Sequence, residues 1–128
     1  MPRFMSLIRI NEQDAPGMLN DPDFEQRMGA LFEEITKAGV MLDTAGLLPT
    51  SEGSRLTWEG GKLSCIDGPF TETKEVVGGY AIMQCKDKAE ALEWTRRFLQ
   101  IHPESWTVGA ELRQLDEGAT PPEAAPQA

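Results

Sequence analysis

Histidine is almost absent from this 128-residue chain. His102 is the single one, and Cys65 and Cys85 are the only cysteines. One imidazole and two separated thiols do not supply the three or four closely spaced ligands of a zinc site. Two cysteines outside a C-x-x-C motif make no disulfide framework, and both lie in strand-like runs where a free thiol behaves as a small buried hydrophobe. Basic residues are outnumbered, 12 Lys and Arg against 21 Asp and Glu, for a formal charge of −9. That balance speaks against nonspecific nucleic-acid binding, which needs clustered cations. No apolar run approaches the roughly 18–20 residues of a membrane span. Neither a G-x-x-x-x-G-K-[ST] run nor a G-x-G-x-x-G turn is present, and His102 has no nucleophile elbow to serve. Nucleotide cradling and a Ser-His-Asp triad are therefore disfavoured, and no cofactor is expected. Met1–Leu7 passes straight into a strand pattern without a small-residue cleavage site, so the expected compartment is the cytoplasm.

What is there suits one domain of ordinary apolar content, large enough for a core without metal or disulfide staples. Residues 3–11 alternate as a strand, with Phe4, Ile8 and Ile10 on one face and Met5 and Leu7 on the other. A turn through Asp14–Gly17 leads to a helix capped by Asp21, with Pro22 at its first position and Gly39 at its stop. Phe24, Met28, Leu31, Phe32 and Ile35 form its apolar stripe. Residues 40–48 read as a strand ended by Pro49. Two short strands, 55–59 and 62–66, flank Gly60-Gly61, a two-residue hairpin signal. Residues 78–85 form a strand apolar on both faces. A second helix starts at Asp87 with a capping box to Glu90 and a buried face of Leu92, Thr95, Phe98 and Leu99. Residues 108–115 are the last strand. From Asp116 to Ala128 the Pro-, Ala- and Glu-rich composition reads as a flexible tail.

The order β-α-β-hairpin-β-α-β predicts an α+β protein of the ferredoxin-like, split βαβ type with an extra β-hairpin. Its two helices cover one face of the sheet. The first and fourth main strands are apolar on both faces, so something must cover the other. A second copy of the sheet is the simplest candidate, and a homodimer is expected.

One loop stands out. In Asp67-Gly68-Pro69-Phe70, Gly68 permits a sharp turn, Pro69 restricts it, Asp67 suits turn capping, and Phe70 is a large anchor bound for the core or a dimer seam. Glu72, Lys74 and Glu75 follow, then Gly78-Gly79. This run, with the surrounding order of elements over residues 3–115, resembles the signature of the YCII-related (DGPF-domain) family. The resemblance implies a subunit that pairs sheet-to-sheet into a dimeric α+β barrel. It implies little about activity. Some relatives are small-molecule enzymes, one of them dechlorinating, with a His–Asp pair proposed as a site; others accompany sigma-factor-type transcription regulators. His102, directly before Pro103, does not match the His–Asp pattern and is expected at the surface.

The candidate ligand-binding residues are Asp67, Glu72, Lys74 and Arg113, with Arg113 set either to meet Glu72 or Glu75 or to clamp a carboxylate. Asp67 and Asp43 are the candidate acid/base groups, Asp43 if it faces an interior. Trp58, Trp94 and Trp106 are expected in a core or seam, with Trp58 alone equally suited to a ligand. The expected function is binding of a small organic molecule between the sheets of the dimer, with carboxylate acid/base chemistry if it is an enzyme. The alternative is a non-catalytic regulatory or protein-interaction module.

Overall fold

Strand β1 (Arg3–Ile10) runs through the middle of a four-stranded antiparallel sheet of order β2-β5-β1-β6, where β2 is Met41–Gly46, β5 Val76–Gln84 and β6 Val108–Gln114. Helices α1 (Pro22–Lys37) and α2 (Lys88–Gln100) lie on one face, and β3 (Ser54–Glu59) pairs with β4 (Lys62–Asp67) in a separate hairpin. The structure, a computed structural model, describes residues 1–12, 21–71 and 74–117. The expected Asp14–Gly17 turn, Glu72 and the tail from residue 118 lie outside them.

Local chemistry explains where the elements start and stop. Asp21 accepts a hydrogen bond from Phe24 N at 2.9 Å, satisfying one of α1's free amides, and Gly39 takes φ 72° just beyond its end. Asp87 likewise accepts from Glu90 N at 2.9 Å. The return bond of the expected capping box goes one residue further out, from Lys86 N to Glu90 Oε1 at 2.7 Å. Gly60 and Gly61, at φ 60° and 77°, make the hairpin turn whose right-handed twist matches its strands.

The core sits toward the start of β1, where Phe4, Ile35, Val40, Met83, Cys85 and Ala91 are buried together. Burial and the neighbouring acids Glu90 and Asp87 push the Cys85 thiol up to about 11, so it stays a neutral hydrophobe. On α2 the buried residues are Ala91 and Thr95, while the expected Leu92 is exposed. Two small side chains four apart on one stripe let the helix lie close to the sheet. Bidentate Arg97–Glu34 bonds of 2.7 Å then tie α2 to α1.

Two further burial expectations are corrected. Cys65 is exposed, because its hairpin stands away from the main sheet. His102 is half-buried: its ring packs against Phe24 (4.8 Å) and Phe98 (4.9 Å), near Trp106. Its Nδ1 lies 2.9 Å from the carbonyl oxygen of Phe98, as a donor would. Burial holds the imidazole below its ordinary range despite the carbonyl contacts, and Arg27 adds to that.

Candidate functional site

The conspicuous loop is a structural clasp. Gly68 N donates to Gly53 O at 2.9 Å, and a Cβ on Gly68 would overlap the Thr50 carbonyl oxygen, so no other residue fits that approach. The Gly68–Pro69 bond is cis. Phe70 N donates to Thr50 Oγ1 at 3.2 Å, and Thr50 in turn donates through N and Oγ1 to Glu12, both at 2.6 Å. These bonds hold the Glu12 carboxyl below its usual range. The Phe70 ring is half-buried beneath the Arg55 guanidinium, 4.1 Å from its centroid, a cation–π contact rather than a place in the core. Asp67 closes the hairpin by accepting from Ser54 Oγ at 2.8 Å across the strand pair. An open groove of about 570 Å³ runs beside this clasp, with Leu47, Leu48, Arg55, Phe70 and Glu75 on its walls.

The other expected residues lie elsewhere. Lys74 is exposed, and Glu72 is outside the described residues. Asp43 and Arg113 stand at opposite edges of the sheet in one register row, Asp43–Ile82–Met5–Arg113. Three strand spacings separate them, about 14 Å. This is the face without helices. Asp43 there accepts from Tyr80 OH at 3.0 Å, which pushes the phenol up. Arg9, not Arg113, meets Glu75, at 3.3 Å, and Arg113 lies 3.8 Å from Glu111. Asp67, Asp43 and Arg113 therefore do not converge within the chain. Among the described residues no three His, Cys, Asp or Glu side chains are grouped to hold a metal ion.

A second concavity lies on the other side of the sheet. Beyond the core, between the helices and the sheet, a cavity of about 390 Å³ is floored by Ser6, Ile8, Gly79, Ala81 and Met83. Its walls come from Met28, Leu31 and Phe32 of α1 and Trp94, Thr95 and Phe98 of α2. The floor is low because the residues opposite β1 are small: Ala81 pairs with Ser6, and Gly79 with Ile8. Gly79 is further constrained, since a Cβ would lie 2.9 Å from the Ala45 carbonyl oxygen of β2. The mouth opens between α1 and the edge strand β2, where Phe32, Ala45 and Gly46 line the cavity and are exposed. Among the described residues no charged side chain lines it. Sequence reasoning placed Phe4 and Ile8 on this face but passed over Ser6 between them, the one polar residue in that alternating series. That break in the pattern was the available signal.

Comparison with known proteins agrees with the loop's resemblance. The family model described as the YCII-related domain matches residues 3–105. An uncharacterised protein of Rhizobium meliloti strain 1021 is 32% identical over 88 residues, which is 69% of this chain and 69% of that protein.

Proposed function

This chain belongs to the YCII-related domain family, and from that premise we propose that it is a small-molecule-binding protein whose ligand occupies the cavity between its helices and its sheet. The observation that carries the reading is the cavity itself: about 390 Å³, apolar, walled by both helices, with a mouth beside β2. Ligand pockets of about 300–1,000 Å³ with mostly apolar walls and few polar groups are the usual sites for small organic molecules. Close-packed interiors seldom leave such a space unfilled.

The ferredoxin-like subunit pairs with a second copy through its helix-free face, where Met5, Leu7, Tyr80 and Ile82 are only partly covered and a charged rim of Arg9, Glu75, Glu111 and Arg113 surrounds them. The ligand site moves from between the sheets to within each subunit. Asp43 and Arg113 then serve the interface and Asp67 the clasp, and the reading carries no carboxylate acid/base step, since no carboxylate among the described residues lines the cavity. Native mass spectrometry of purified protein tests it. A dimer carrying an adduct that Ala81→Phe, which fills the floor, no longer holds is the expected result. Absence of both an adduct and any binding of apolar probes would end the reading.

The alternative, a protein-interaction module, is favoured by one feature. On one face of the hairpin Leu56, Trp58 and Leu63 are exposed, Trp58 by 71%. Trp58→Ser would abolish capture of a protein partner on that reading and leave small-molecule binding unchanged on ours.

A further inference from the structure

We infer that the cavity selects a neutral organic molecule bearing one hydroxyl or carbonyl oxygen, and that Ser6 is the residue that recognises it. The inference rests on the cavity being the ligand site and names the chemistry of its occupant. Ser6 is 3% exposed, and its Oγ has no hydrogen-bond partner, alone in this among the buried side-chain polar atoms of the described residues. A buried hydroxyl without a partner is uncommon in folded proteins and calls for an explanation. Its cross-strand neighbours on the same face are Ala81 and Leu112, neither of which offers a polar side-chain atom.

The other lining hydroxyls have spent their protons. Thr44 Oγ1 donates to Tyr80 O at 2.9 Å, Thr95 Oγ1 to Ala91 O at 2.9 Å, and Tyr80 OH to Asp43 at 3.0 Å on the far face of the sheet. Ser6 alone among them has no partner for its proton or its lone pairs, so on turning toward the cavity it would serve a carbonyl by donating and an alcohol or phenol by either role. Because no Asp, Glu, Lys, Arg or His among the described residues lines the walls, an ionised group inside would lose its hydration with no charged partner there to replace it. Charge on the ligand is thus disfavoured, and most of its surface beyond that oxygen is apolar.

The test uses three probes of one shape: naphthalene, 2-naphthol and 2-naphthoate, competed against a fluorescent apolar dye on the full-length protein. Wild type is expected to hold 2-naphthol about 3- to 10-fold more tightly than naphthalene, the ratio one net hydrogen bond supplies, and 2-naphthoate more weakly than either. Ser6→Ala is expected to bind the two neutral probes equally, and Ser6→Thr, which keeps the hydroxyl, to restore the preference. Equal binding of both neutral probes by wild type, or a preference that survives in Ser6→Ala, would overturn the inference while leaving the cavity as the site. Failure of all three probes to compete would remove the cavity reading and this inference with it.

Discussion

The helix-covered half of the sheet and the β3–β4 hairpin are built from similar residues and meet opposite fates. Both gather apolar side chains on one face of short strands. Phe4 and Met83, opposite each other across β1 and β5, are buried under two helices, whereas Trp58 and Leu63, opposite each other across the hairpin, are 71% and 65% exposed. Alternation fixes which residues share a face; it does not say what will cover that face. The helices follow β1 and β5 in the chain and lie back on them. The hairpin is joined to the body by the clasp around Gly68 and Thr50, and a lone two-stranded hairpin is at best marginally stable in water. Among the described residues nothing covers its apolar face.

Substitutions at matched positions separate the two regions. Phe4→Ala should cost about 3–5 kcal/mol in chemical denaturation, from lost burial and the void left behind. Gly68→Ala comes next, at about 3 kcal/mol, because the added carbon must displace the Thr50 turn. Here proteolysis within the hairpin should rise more than global unfolding, and equal effects on both would mean that the clasp is part of the core. Ser6→Ala should raise the stability of the ligand-free protein by about 1 kcal/mol, since it removes a buried hydroxyl that has no partner. A loss instead would show that the hydroxyl is satisfied. Trp58→Ala should shift stability by less than about 0.5 kcal/mol at concentrations where the chain is monomeric. If the hairpin lies in a subunit interface, the same change should weaken the dimer in sedimentation equilibrium.

The aromatic group around His102 adds a pH test. Burial lowers the folded-state pKa of His102, so the unfolded chain takes up its proton first as pH falls. The contribution of this residue is fully present above about pH 6.5, the unfolded value, and is lost as pH drops from there through the folded value. His102→Gln should flatten that part of the stability profile, whatever its effect at neutral pH.

Much of the fold was legible in residues with fixed local chemistry. Asp21-Pro22 and Gly39 bound α1, Gly60-Gly61 marks the hairpin turn, and the strand order follows from two β-α-β units sharing one sheet. The resemblance carried by Asp67–Phe70 pointed to the right family, yet that loop works as a clasp on Thr50 and Glu12. Its contacts lie 13 or more residues back in sequence, beyond the reach of local pattern. His102 was read as a surface residue because Phe24, which covers it, comes from another helix. The cavity was illegible for a stronger reason. It is a space defined by Ala81 and Gly79 being small where Met28, Phe32 and Phe98 do not reach, and five elements must be assembled before it exists.

Methionine-methyl NMR with added 2-naphthol tests the central claim most directly, because the methionines report separately on the two faces of the sheet. Met28, Met41 and Met83 line the cavity, while Met5 lies on the helix-free face. The account requires the first three methyl signals to shift together with saturable dependence on the probe while Met5 stays in place. Movement of Met5 alone would put the ligand between the sheets, and no movement of any methyl at saturating probe would contradict the cavity as a binding site.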